Sequence, residues 1–219
     1  MIEKNLLLIN NKIRDFCKIY KKDSKKINLI AVSKTQEKEK IIQAINFGQK
    51  DFGENYIKES LEKWIEIKKI FPQVKLHFIG HLQSNKADEA VELFDFIHTL
   101  DSKKLALCLQ KAVKKIDKNP QIFIQVNIGD EEQKGGVAIN ELADLVSFAR
   151  VECDLNIVGL MCIPPSNEAP SPYFALLNKL AKENGLENLS MGMSADFEEA
   201  IALGASYVRV GSAIFGERK

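Results

Sequence analysis

The residue whose type and position suggest chemistry most directly is Lys34, which follows an apolar run typical of a buried strand. Side chains alternate along a strand, so Ile30, Val32 and Lys34 point to the same side of it. If that side faces the inside of a barrel, the amine lies above two apolar layers. Burial and nearby cations favour the neutral lysine amine, which attacks an aldehyde to form a Schiff base. On this residue alone a lysine that reaches into water is the commoner reading, so its surroundings decide.

Two segments late in the chain predict a site for an anion. MGMSADFEEA places Ser194 before the acidic run 196–200, where we expect Ser194 to be the N-cap of a helix whose free N–H groups could hold an anion. SYVRVGSAIFGE supplies Gly211, which permits close backbone approach, and Ser212, whose hydroxyl and N–H add donors. An ordinary cap and an ordinary turn would explain each segment alone. Together, opposite a lysine on another strand, they predict a phosphate site.

Arg209 lies between Val208 and Val210 in an otherwise apolar strand, so its charge needs a partner. A surface ion pair is one reading. In the other reading the guanidinium donates towards a ring nitrogen of a ligand. That contact would keep the nitrogen unprotonated and make the ring a poor electron sink.

The elements that would position these residues alternate between β-rich runs and segments with helical periodicity. Such alternation predicts parallel strands joined by helical crossovers. Eight units favour a (β/α)8 TIM barrel in one domain, residues 1–219, after an amphipathic N-terminal helix. A doubly wound sheet is the runner-up, but its usual glycine fingerprint is missing from the first βα turn, SKTQEKEK. The predicted strands are 27–32, 50–53, 75–80, 95–100, 122–128, 156–163, 188–192 and 206–211.

Composition narrows the possible partners. Lysine and arginine number 31 and acidic residues 30, so no overall field attracts nucleic acid or an anionic membrane. No apolar stretch approaches the roughly 20 residues of a membrane span, and a cytoplasmic protein is expected. The cysteines, scattered in apolar segments, suggest buried thiols in a reducing compartment.

The spacing of His77 and His81 could suggest a metal pair, but the two residues straddle a strand end rather than one helix face. We therefore expect a core or capped histidine. The chain contains no GxSxG, P-loop or HExxH motif, so hydrolase, nucleotide triphosphatase and zincin functions have no support.

Over nearly its whole length the chain resembles the pyridoxal 5′-phosphate (PLP) homeostasis proteins, the YggS/PROSC-like family. The resemblance is carried in order by AVSKTQ, DFGENY, HFIGHLQSNK, VNIGDEEQKGGV, GLMCIP and LSMGMSADFEEAIALGASYVRVGSAIFG. It implies a barrel like the N-terminal domain of alanine racemase. It also implies a Schiff base on Lys34, a phosphate held by Ser194, Gly211 and Ser212, Arg209 near the pyridine nitrogen, and Asn55 and Asn85 at the rim.

Three functions compete: a protein that holds and delivers PLP, a PLP-dependent amino-acid racemase, and a barrel enzyme that does not use PLP. A racemase of this architecture resembles a barrel plus a second domain that brings a tyrosine base, whereas this chain ends at Lys219. Racemisation through two bases needs an acid/base on each face of the intermediate, and one lysine serves one face. The sequence therefore predicts a non-catalytic PLP carrier, a monomer whose partners are PLP and possible apo PLP-dependent enzymes.

Overall fold

Eight parallel strands form a closed barrel in the computed structural model, which describes residues 1–131 and 133–216. β1 pairs with β2 on one side and with β8 on the other, so the ring closes in sequence order. The predicted (β/α)8 barrel is confirmed, and each predicted strand overlaps an observed one. The strands are β1 (Asn28–Val32), β2 (Asp51–Glu54), β3 (Lys75–Phe78), β4 (Phe96–Leu100), β5 (Gln121–Gln125), β6 (Ile157–Met161), β7 (Asn188–Ser190) and β8 (Tyr207–Val210).

Helices surround the barrel and return the chain from each strand to the next. The predicted N-terminal helix is present as α1, which packs against α2, α8 and α9. Asn5 Nδ2 donates to the carbonyl of Ile214 at 2.9 Å, which ties the start of the chain to its last helix. The helices are α1 (Ile2–Ile19), α2 (Lys38–Asn46), α3 (Ile57–Ile70), α4 (Ala87–Leu93), α5 (Lys103–Ile116), α6 (Leu142–Ser147), α7 (Ser171–Glu183), α8 (Phe197–Ala202) and α9 (Ser212–Phe215).

The apolar core has two parts. The larger lies between the strands and the helices, and a small cluster fills part of the barrel interior. The interior cluster consists of Ile30, Phe96, Phe123, Met161 and Tyr207. His77 is fully buried and stacks on Phe96 with ring centroids 4.2 Å apart, so the expected core histidine is confirmed.

Within the described residues, no helix is both long enough and apolar enough to cross a membrane. The four cysteines are free thiols, and Cys17, Cys153 and Cys162 are buried. Burial raises the pKa of the Cys162 thiol to about 12, so this side chain is an unreactive thiol at neutral pH.

Candidate functional site

A cleft of about 190 Å³ opens where β1, β2 and β8 end and the loop after β7 crosses above them. The carboxyl ends of barrel strands are where active sites of this architecture lie. Six of the seven predicted site residues line the cleft, and Asn85 is the exception. The lining residues are Val32, Lys34, Asn55, Ile79, Ile163, Met193, Ser194, Arg209, Gly211 and Ser212.

Asn85 lies elsewhere on the same end of the barrel. It is exposed, in the short 3-10 turn Ser84–Lys86 that precedes α4. Asn55 belongs both to the cleft and to a neighbouring depression that His81 also lines. The structure therefore brings Asn55, but not Asn85, beside Lys34.

A buried polar cluster fixes the chain on the amino side of Lys34. Glu54 Oε1 accepts hydrogen bonds from Ser33 Oγ at 2.7 Å and from Trp64 Nε1 at 2.9 Å, and it forms an ion pair with Lys63 Nζ at 2.8 Å. The Glu54 side chain is fully buried and that of Lys63 is 10% exposed. Because the ion pair lies away from water, Lys63 must stay in place to balance the charge of Glu54.

The same cluster fixes the chain on the carboxyl side of Lys34. Thr35 has a φ of +62°, a left-handed conformation that β-branched residues rarely adopt. Its N–H donates to Glu59 Oε1 at 2.5 Å, and Lys63 Nζ bonds both that oxygen at 2.8 Å and the Ser33 carbonyl at 2.9 Å. Ser33, Glu54, Glu59, Lys63 and Trp64, which we call the Glu54–Lys63 cluster, thus hold both neighbours of Lys34.

The structure corrects the expected role of Ser194 as a helix N-cap. Helix α8 begins only at Phe197, and Asp196 occupies the N-cap position without a side-chain capping bond. The reason is a tight turn before the helix, in which the Met193 N–H donates to Asp196 Oδ1 at 2.5 Å. Ser194 lies inside this turn and lines the cleft instead.

Two glycines allow the backbone to approach closely at the cleft. Gly192 has a φ of +89°, and a Cβ built there would lie 2.5 Å from Ala200 Cβ, so any side chain would force α8 away. Its carbonyl accepts the Arg209 N–H at 2.9 Å, which joins the end of β7 to β8. At Gly211 a Cβ would lie 3.3 Å from Val32 Cβ, so a larger residue would crowd the cleft wall.

Arg209 forms part of the cleft and is 5% exposed. Its Nη1 donates to Ser190 Oγ at 2.7 Å and its Nη2 donates to the Cys162 carbonyl at 2.9 Å. Both acceptors are uncharged, and burial lowers the pKa of the guanidinium. The partners expected for the Arg209 charge are thus a hydroxyl and a carbonyl rather than a surface carboxylate.

Behind Arg209 a row of hydrogen bonds crosses the barrel interior. Ser190 Oγ lies 2.8 Å from His98 Nδ1, His98 Nε2 lies 3.0 Å from His77 Nδ1, and His77 Nε2 lies 2.9 Å from Asp51 Oδ1. We call Ser190, His98, His77 and Asp51 the interior chain. Sequence reasoning missed it, although alternation along β3, β4 and β7 could have placed three polar residues inside the barrel.

Burial dominates the protonation of the two imidazoles. It lowers the pKa of His98 well below the usual 6.5, and the neighbouring His77 and Arg209 lower it further. Burial also lowers the pKa of His77, although Asp51 partly opposes this shift. Both rings are therefore neutral at physiological pH.

Comparison with known proteins identifies the relatives of this chain. Residues 2–219 match the family model described as the alanine racemase N-terminal domain. The pyridoxal phosphate homeostasis protein of Pasteurella multocida is 37% identical over 227 residues, which cover 99% of this chain and 97% of that relative. The solved structure of PipY from Synechococcus elongatus with PLP bound is 31% identical, with a TM-score of 0.86 over 99% of this chain and 100% of that one.

A more distant likeness concerns the fold alone. Alanine racemase from Clostridium difficile is 13% identical, with a TM-score of 0.75 over 99% of this chain but only 56% of the racemase. The barrel is thus shared with an enzyme that is much longer than the matched region. The chain belongs to the alanine racemase N-terminal domain family and, within it, to the pyridoxal phosphate homeostasis proteins.

Proposed function

We propose that this chain binds PLP through Lys34 in the cleft and serves PLP homeostasis as a carrier, with residues 1–219 acting as one PLP-binding domain. The observation that carries the proposal is the meeting of Lys34, Ser194, Arg209 and Ser212 in one cleft. An amine, two hydroxyls and a buried cation are the groups that an aldehyde-bearing aromatic phosphate requires. PipY, which shares the fold, has been solved with PLP bound.

Two features of the cleft support the fit. The buried Asn55 Oδ1 has no hydrogen-bond partner among residues 1–131 and 133–216, which leaves it available to a donor on a ligand. Gly211 leaves room that a Cβ would take up, beside the hydroxyl of Ser212 at the start of α9. We assign Ser194, Gly211 and Ser212 to the phosphate, Asn55 to the ring edge and Asn85 to the outer rim.

The cofactor supplies an aldehyde, with which the Lys34 amine condenses to a Schiff base as one water leaves. The Glu54–Lys63 cluster holds Ser33 and Thr35, so the backbone at Lys34 is already in place before a ligand arrives. Arg209 has N–H groups left to contact a pyridine nitrogen, and it can only donate a hydrogen bond to that nitrogen because a guanidinium has no acceptor. It therefore disfavours a proton on that nitrogen.

The residues that line the cleft support a carrier role. Among the described residues that line it, Lys34 is the one side chain of a type that commonly serves as a general acid or base. Racemisation needs a proton donor and acceptor on opposite faces, and an unprotonated ring stabilises a carbanion poorly. We therefore assign the chain to holding and delivering PLP, with apo PLP-dependent enzymes as recipients, rather than to amino-acid racemisation.

Covalent capture tests the assignment of Lys34. Borohydride should fix a pyridoxyl group on the protein purified with PLP, and peptide mapping should place that group on Lys34. Lys34→Ala should abolish the adduct without altering the circular dichroism spectrum, whereas Lys58→Ala, in the neighbouring depression, should retain it. An adduct on another lysine would refute the assignment.

Turnover assays separate the carrier from the enzyme. The loaded protein should transfer PLP to an apoenzyme, as measured by recovery of that enzyme's activity, and should not racemise alanine or other common amino acids. Sustained racemisation that disappears in Lys34→Ala would replace the carrier assignment with the racemase one.

A further inference from the structure

The interior chain is an unusual filling for the centre of a barrel. Barrel interiors are ordinarily packed with branched apolar side chains, yet here Ser190, His98 and His77 are fully buried. Burying polar groups is costly unless each finds a hydrogen-bond partner. The interior chain meets that requirement only as a complete row of hydrogen bonds, from Arg209 at the cleft to Asp51 at the opposite end of the barrel.

The direction of every hydrogen bond in the row follows from the Asp51 carboxylate, which can only accept. His77 therefore carries its proton on Nε2 and donates to Asp51 Oδ1. The bare Nδ1 of the neutral His77 accepts from His98 Nε2, and the bare Nδ1 of the neutral His98 accepts from the Ser190 hydroxyl. Ser190 Oγ in turn accepts from Arg209 Nη1, which can only donate.

The row thus has a cation at one end, an anion at the other and neutral groups between them. The side chain of Asp51 is 20% exposed, so its carboxylate reaches the water at the amino end of the barrel. Asp95 and Lys75 also act on His77 from outside, with opposite effects on its pKa. The ring of Tyr207 packs against both imidazoles, at centroid distances of 5.8 and 6.0 Å.

We infer that Ser190, His98, His77 and Asp51 are positioning residues for Arg209, and that through them the charge of Asp51 acts on the ligand in the cleft. This inference rests on the proposed PLP site. A planar guanidinium held at both terminal nitrogens has one orientation, so the row decides how Arg209 meets the ligand. A buried row of polarised hydrogen bonds also transmits charge better than water does.

The first test needs no cofactor. Nitrogen-15 NMR of histidine-labelled protein should show both His77 and His98 with the proton on Nε2 and a bare Nδ1, with the exposed His81 as the reference signal. Ser190→Ala should perturb the His98 Nδ1 signal most. A protonated Nδ1 on His98 in the unaltered protein would overturn the inference, whatever the result with PLP.

The second test uses protein loaded with PLP and follows the absorbance band that borohydride abolishes as the pH is changed. The quantity compared between variants is the pH at the midpoint of that absorbance change. Asp51→Asn keeps an oxygen that accepts from His77 but removes the negative charge, so the midpoint should move to lower pH. Tyr207→Phe is the matched control, because it lies against the same rings but its hydroxyl is outside the row; its midpoint should stay unchanged.

Ser190 gives the complementary comparison. Ser190→Ala removes the acceptor of Arg209 Nη1, so the affinity for PLP should fall roughly 10-fold. Ser190→Thr keeps the hydroxyl and should restore most of that affinity. A purely structural role would lower thermal stability in these variants while leaving midpoint and affinity unchanged, and that result would overturn the inference. If the unaltered protein incubated with PLP shows no such band, that result would instead refute the PLP site itself.

Discussion

Lys63→Met tests whether the Glu54–Lys63 cluster stabilises the barrel below Lys34. Methionine fills much of the space of a lysine stem but carries no charge. The substitution leaves the carboxylate of Glu54 fully buried, with its hydrogen bonds from Ser33 and Trp64 but without its ion pair. Glu54 Oε2 is already without a partner among the described residues, so the cluster has no spare donor.

The expected cost is large because one charge of a buried pair is left uncompensated. Removing one partner of such a pair costs about 3–5 kcal/mol. For a domain of this size each kcal/mol lowers the Tm by roughly 2–4 °C, so the Tm should fall by roughly 6–20 °C. Urea unfolding followed by circular dichroism would give the free energy of unfolding directly.

Lys38→Met provides the matched control. Lys38 pairs with Glu66 at 2.8 Å, the same distance as the Lys63 pair, but the two side chains are 39% and 74% exposed. A surface pair contributes about 0–1 kcal/mol, so this variant should unfold almost as the unaltered protein does. The double variant Lys63→Met/Glu54→Gln should recover part of the loss. If Lys63→Met costs no more than Lys38→Met, the cluster is not a buried ion pair in solution.

Three further predictions concern the cleft and the interior chain. Ser194→Ala should weaken PLP binding roughly 10-fold but leave pyridoxal binding unchanged in titrations of both ligands, because the hydrogen bond proposed for the Ser194 hydroxyl serves only the phosphate. Equal weakening of both ligands would assign Ser194 a structural role. Gly192→Ala should destabilise the protein by about 1–3 kcal/mol in urea unfolding, because φ is +89° there; an unchanged midpoint would contradict the strain. Burial lowers the pKa values of His77 and His98 below the usual 6.5 in the folded protein. The free energy of unfolding should therefore be highest above pH 6.5 and should decline below it by up to roughly 1.4 kcal/mol per pH unit for each histidine. His98→Gln should make this decline with falling pH less steep.

The strands were predictable because their signals are local. Runs such as NIVGLMCI are apolar on both faces and have no competing helical period, so they indicate buried parallel strands wherever they occur. Side-chain alternation along β1 likewise predicted that Lys34 lies at the mouth of the barrel, and in the structure Lys34 lines the cleft. The barrel and five residues of its cleft could therefore be placed from local patterns, and the family resemblance added Asn55.

The errors and omissions depend on contacts that no local pattern encodes. The start of α8 was misplaced because the Asp196 carboxylate closes a turn on Met193 instead of leaving Ser194 to cap the helix. The interior chain was missed because its members lie on β2, β3, β4 and β7, and their meeting depends on barrel register. Lys63 was missed because a lysine in an amphipathic helix ordinarily indicates a solvated face.

The pairing of β1 with β8 has a consequence for biosynthesis. Lys34 follows the first strand of the ring, whereas Arg209 and Gly211 belong to the last, so the cleft does not exist until the ring is closed. At about 5–20 residues per second, translation of 219 residues takes roughly 10–45 s, and the open edge of β1 awaits its partner for most of that time. A polypeptide that stops before β8 would carry Lys34 without a pocket around it, together with an unpaired strand prone to aggregation.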